Sequence, residues 1–142
     1  MPSARITRVE TENVQGANVS LFDPFSDGLK LTMFFTLSAD ILQIPDVQLQ
    51  GSFQILDFRN DQVVVHQSIW ANYNPSLGPN LFWWLGSPTP HDWGLQWQSA
   101  DIFGFRAAVE VFAQEGEAGM VAVDAFDVSD IRWFRLKDIF EL

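Results

Sequence analysis

Between positions 28 and 38 apolar side chains recur at every second residue, and that rhythm restricts the chain to extended structure. Leu29, Leu31, Met33, Phe35 and Leu37 fall on one side. Lys30, Thr32, Thr36 and Ser38 fall on the other, with Phe34 the exception on the polar side. A helix would scatter these apolar residues around its circumference, whereas a strand lines them up on one face.

The same period returns along the chain. Val47, Leu49, Phe53 and Ile55 alternate with Gln48, Gln50, Ser52 and Gln54, the pattern of a strand with one face toward water. Arg59-Asn60-Asp61-Gln62 has the composition of a tight turn, because Asn and Asp tolerate left-handed backbone. With the following run at 63–69 it predicts a hairpin. Phe105, Ala107, Val109, Val111 and Ala113 alternate with Arg106, Glu110 and Gln114. A glycine-rich turn at 115–119 then leads into a strand over 120–126, a second hairpin. Further strands are expected at 4–13, 19–22 and 131–137, with a single helical turn at 99–103. No segment sustains a 3.6-residue apolar period. The sequence predicts an all-β chain, an antiparallel two-sheet β-sandwich of about seven to nine strands. One domain spans 1–142.

The segment 70–97 breaks the rhythm. It holds Pro75, Pro79, Pro88 and Pro90, and five of the six tryptophans. Proline interrupts strand ladders, so short strands near 80–85 and 95–98 are expected within otherwise irregular chain. The order hairpin, long crossing segment, hairpin resembles an immunoglobulin-like or fibronectin-III-like sandwich. Asp101-Ile102-Phe103-Gly104-Phe105 stands where such domains carry an acidic and an aromatic residue before their penultimate strand. The chain departs from the antibody pattern in having Phe105 where Tyr is expected and no cysteine pair. The resemblance implies architecture only, since this fold hosts many unrelated functions.

Charge and composition exclude several functions. Eighteen acids against eight bases leave a net charge of −10, a field that repels nucleic-acid phosphates and anionic lipid alike. There is no cysteine, hence no thiol chemistry, Cys-containing zinc site or disulfide framework. No apolar run approaches the ~20 residues that span a bilayer. The N-terminal residues continue into alternating polar and apolar positions with no signal-peptide h-region, so a cytoplasmic location is expected.

Catalytic motifs are missing too. His66 lies mid-strand, and His91 sits in Pro90-His91-Asp92-Trp93, where the adjacent Asp is badly placed to orient the ring. No Gly-x-Ser-x-Gly elbow, His-Glu-x-x-His pair or phosphate-binding glycine loop is present. Asp57 and Glu110 are the acids within predicted strands, expected at a strand end or facing water. Asp124, Asp127 and Asp130 recur every third residue, and Asp23 and Asp27 form a second acidic turn. Their spacing does not match an EF-hand loop, and solvated turns account for them. No metal or cofactor is expected.

What remains is the aromatic excess. The candidate binding residues are Trp70, Phe82, Trp83, Trp84, Trp93 and Trp97. Such rings pack internally, anchor a protein interface or stack on sugars. The sequence points first to a non-catalytic sandwich acting through protein contacts, as an accessory module or a self-associating subunit. A carbohydrate-binding module using exposed tryptophans is the alternative, and a small hydrolase with a spatially assembled carboxylate pair is a third reading.

Overall fold

The computed structural model describes residues 2–12, 21–22, 29–59, 61–72, 81–86 and 102–136. Among these residues nine strands are formed: β1 (Ala4–Glu12), β2 (Leu21–Phe22), β3 (Leu29–Leu37), β4 (Val47–Asp57), β5 (Val63–Asn72), β6 (Leu81–Gly86), β7 (Ile102–Gln114), β8 (Met120–Val128) and β9 (Arg132–Leu136). Short 3-10 turns at Ala39–Gln43 and Gly116–Ala118 are the helical elements among the described residues.

The strands make two sheets. The smaller runs β1-β3-β6, and the larger runs β2-β9-β7-β4-β5 with β8 also on β7. Pairing is antiparallel except for the short β2–β9 contact. The organising element is β7. One edge pairs with β4 from Phe103 to Ala113, while the other is divided between β9 (Ile102–Phe105) and β8 (Ala108–Gln114).

The alternation of the sequence becomes the core. Leu29, Leu31, Met33 and Phe35 from β3 meet Val47, Leu49, Phe53 and Ile55 from β4. Phe103, Phe105, Ala107, Val109 and Val111 from β7 join them, with Ala125, Phe134 and Ile41 closing the cluster. The rings of Phe53 and Phe105 stack at 5.9 Å, those of Phe103 and Phe134 at 6.0 Å. Burying one such side chain contributes roughly 1.5–3 kcal/mol, so this cluster is the main source of stability. Leu37, expected in the core, is only half-buried because it lies at the end of β3 opposite Ala4.

Several turns follow the expected chemistry. Asp61 takes φ 55° in the β4–β5 turn, as the Asn/Asp-rich composition predicts. Asp57 terminates β4 and is buried, accepting from Arg59 Nε at 3.1 Å, Arg59 Nη2 at 2.7 Å and the Arg59 backbone N–H at 2.9 Å. These donors hold its carboxyl below the ordinary value of 3.8, against the opposing effect of burial. Asp57 thus sits at the expected strand end but does not face water. Gly119 closes the β7–β8 turn at φ 90°, which a side chain rarely tolerates.

Other expectations are corrected. Ile102 and Phe103 are not helical but open β7, because the alternation that buries Phe105 extends back to Phe103. Trp70 does not begin an irregular segment, since β5 continues through Asn72. A strand does form at 81–86, within the smaller sheet against β3, so the chain leaves the larger sheet after β5 and returns to it at β7. The acidic stretch beginning at Asp124 is no turn, because β8 runs to Val128 with a register shift opposite Glu110–Phe112 and Asp124 at φ 60°. The proposed strand at 95–98, positions 99–101 of the helical turn, and Asp23 and Asp27 lie outside the described residues.

Candidate contact surface

The outer face of the larger sheet gathers what the sequence scatters. In β4 the core takes Leu49, Phe53 and Ile55, leaving Gln48, Gln50, Ser52 and Gln54 outward. Register then fixes their neighbours. Gln54 lies between His66 and Arg106, Ser52 between Ser68 and Ala108, Gln50 between Trp70 and Glu110, and Gln48 between Asn72 and Phe112. On β8, Phe126 stands opposite Glu110 and Val128 opposite Ala108. The glutamines are half-buried rather than freely hydrated, because β4 is flanked by side chains from both neighbouring strands.

Large apolar groups on this face are wet. Phe126 is 62% exposed, Trp70 51% and Val128 49%. Trp70 also packs against Phe112, ring centroids 4.9 Å apart with planes tilted by 52°. That contact reaches diagonally over β4, which pairs with β5 on one side and β7 on the other. Scattered single apolar residues on a surface are ordinary, but several on one sheet face form a patch suited to association.

Beside the patch runs a directed hydrogen-bond chain. Arg106 donates from Nε and Nη2 to Gln54 Oε1, at 2.9 and 2.6 Å. With its oxygen so occupied, Gln54 turns Nε2 toward His66 Nδ1, 3.2 Å away. The amide donates, so Nδ1 accepts and the neutral ring carries its proton on Nε2. That proton points to Ser68 Oγ at 3.3 Å. In this arrangement Ser68 accepts from the imidazole, the reverse of what a base-activated serine requires. The group behind the ring is an amide, not a carboxylate. A cavity of about 290 Å³ lies next to this chain, lined by Ser52, Gln54, Arg106, Ala107, Ala108 and Val128.

Of the residues nominated by the sequence, Trp70 is on this face. Phe82, Trp83 and Trp84 belong to β6 in the other sheet, opposite Met33, Thr32 and Leu31. The structure therefore does not join them to Trp70 in a single strand or loop. Trp93 and Trp97 lie outside the described residues. Phe112, Phe126 and Val128 were not singled out by sequence reasoning. Phe112 had a signal, as a large apolar residue on the phase of Arg106, Glu110 and Gln114, whereas β8 alternates too weakly to mark Phe126 and Val128.

The acidic candidates disperse. Asp127 accepts the backbone N–H of Ile6 at 2.7 Å, while Asp124 and Asp130 are exposed. Among the described residues no three His, Asp or Glu side chains are placed to share a metal ion. Compared with models of known protein families and with curated proteins, the chain matches none.

Proposed function

We propose that this chain is a non-catalytic β-sandwich that works by contact, with the outer face of its larger sheet as the contact surface and a protein as its partner. The observation that carries the reading is the shared face of exposed Trp70, Phe126 and Val128 with Phe112 packed against Trp70. Trp is enriched among interface hot spots, where truncating one ring costs ~2 kcal/mol or more. The net charge of −10 favours a partner that is not itself an anionic polymer. This reading carries with it the sequence-derived expectations of an immunoglobulin-like architecture and a cytoplasmic setting. No helix among the described residues is long and apolar enough to cross a membrane.

A photo-cross-linking residue at position 126, compared with one at Glu117 on the β7–β8 turn, tests the idea in native extract. One defined protein adduct at 126, absent at 117 and lost with Trp70→Ala, is expected. Equal labelling at both positions counts against it.

A carbohydrate ligand is the second reading, favoured by the row of Gln48, Gln50, Ser52 and Gln54 beside the rings. Amides both donate and accept, as sugar hydroxyls do, and aromatic rings supply apolar stacking area. A glycan array decides it. Binding that disappears with Trp70→Ala moves the assignment to carbohydrate, and silence across the array removes that option.

A further inference from the structure

We infer that the free edge of β5 pairs antiparallel with β5 of a second copy of this chain, about a two-fold axis at Gln67. The larger sheet ends at β5, and among the described residues nothing pairs with its outer edge. An unpaired edge is a template for strand addition unless it is short, kinked, charged or interrupted by proline. Apart from one bulge at Val64, close to its start, β5 has none of those protections. It is ten residues long, reads VVVHQSIWAN, and contains no acid, Lys, Arg or Pro.

The other long edges are defended. In β1 the register shifts between Ile6 and Arg8, the strand carries Arg5, Arg8, Glu10 and Glu12, and the Asp127 carboxylate occupies the Ile6 N–H. In β8 the register shifts near Asp124, and Asp124 and Asp127 add negative charge. β6, the far edge of the smaller sheet, is also uncharged but only six residues long, which leaves β5 as the long unprotected edge.

The side-chain pattern of β5 also fits its own reverse. With Gln67 opposite itself, Val65 meets Ile69 of the second copy on the core side of the sheet, beyond the bulge at Val64. On the outer side His66 meets Ser68. From Val65 to Ile69 every apolar residue then faces an apolar one and every polar residue a polar one. Moving the axis to His66 instead sets Val65 against Gln67 and Val64 against Ser68. Register follows such patterning, so the Gln67 axis is the one selected. Charge agrees. Each chain carries −10, yet pairing through this strand brings no carboxylate of β5 against another. A second copy therefore suits this edge better than an unrelated extended peptide, whose side chains would match it only by chance.

The inference rests on the edge of the sheet and is independent of what the outer face binds. Light scattering on the full chain during size exclusion is expected to give twice the 16.1 kDa chain mass. Val65→Lys and, as a milder change, Gln67→Lys are expected to return the monomer mass with an unaltered β circular-dichroism spectrum. The register is read by disulfide formation in a chain that has no cysteine of its own. Gln67→Cys is expected to yield a covalent dimer on oxidation, whereas His66→Cys, whose copies lie beyond the ~7 Å limit for a disulfide, is not. Monomer mass at every concentration overturns the inference. So does a dimer that survives both Lys variants, or equal cross-linking at 66 and 67. None of these outcomes alters the result expected from the position-126 cross-link, so the two readings fail separately.

Discussion

The Asp127 carboxylate on β8 accepts the backbone N–H of Ile6 on β1 at 2.7 Å, joining the edges of the two sheets through one charged hydrogen bond. It falls where the register of β1 shifts, between Ile6 and Arg8, so the bulge and the acceptor coincide. A cavity of about 310 Å³ lies along the same seam, lined in part by Ile6, Arg8, Asp127 and Asp130. Asp127→Ala is expected to destabilise the fold by about 1–3 kcal/mol, the cost of leaving a partly buried donor without its acceptor. Asp127→Asn, which keeps a carbonyl oxygen there, is expected to lose less. Urea denaturation of both variants checks the order, and equal losses would show that the acceptor is unimportant.

Asp57 and Arg59 give the fold a defined acid response. The folded-state carboxyl of Asp57 is held below 3.8, chiefly by the Arg59 side chain. Its stabilisation is therefore present above the unfolded-state value and is lost as pH falls through the lower, folded-state one. Melting temperature is expected to drop on acidification below pH 3.8, and Asp57→Asn is expected to flatten that dependence. The same variant weakens the hairpin at neutral pH by on the order of 1–3 kcal/mol, as a charge-assisted bond becomes a neutral one. An unchanged acid profile would place the sensitivity elsewhere.

Gly104 has no room for a side chain. A Cβ there would approach Ile131 Cγ2 to 2.5 Å and the Trp133 ring to 2.8 Å. Both are side chains of the segment that leads into and forms β9, so relief requires Ile131 and Trp133 to shift together. Gly104→Ala is expected to cost about 1–3 kcal/mol as an overpacking change. Increased hydrogen exchange in β9, with β4–β5 less affected, is the accompanying readout. A neutral or stabilising result would mean that Trp133, which is itself partly exposed, simply swings aside.

Trp70 and Phe126 are expected to separate stability from association. Trp70→Ala gives up the contact with Phe112, and Phe126→Ser removes a side chain already mostly in water. Phe126→Ser is expected to change unfolding free energy by less than about 0.5 kcal/mol, as surface substitutions do. Both are expected to reduce partner capture. By contrast, Phe53→Ala, in the centre of the core, is expected to cost about 3–5 kcal/mol. Comparable destabilisation by Phe126→Ser would identify Phe126 as a packing residue.

The strands were legible because a half-buried sheet writes itself as alternation. Leu29 to Phe35 and Val47 to Ile55 obey it, and the structure buries the phase expected in each. Legibility failed where a bulge resets the phase. The register shift between Ile6 and Arg8 brings Val9 and Thr11 to the core side, and Thr11 is fully buried with Arg132 Nε donating to its hydroxyl at 2.9 Å. No local pattern announces a threonine satisfied from 121 residues away. The contact face was only partly legible for a similar reason. Trp70 stood out by composition, whereas Phe112 comes against it, and Phe126 onto its face, only through pairing across β4 and β7. The chain Arg106–Gln54–His66–Ser68 likewise exists only in register, since its members come from three strands.

The position of β7 has a consequence for how this molecule is made. β4 and β5 are complete by residue 72, but the strand that covers the inner edge of β4 and receives β8 and β9 spans residues 102–114. An isolated two-stranded hairpin is marginally stable in water. As the polypeptide emerges from the ribosome, β4–β5 must therefore wait, without its partner on the β4 edge, until residues 102–114 are available. Nascent fragments ending before residue 102 would be the form most exposed to misassembly, and chaperones would meet the protein chiefly in that interval.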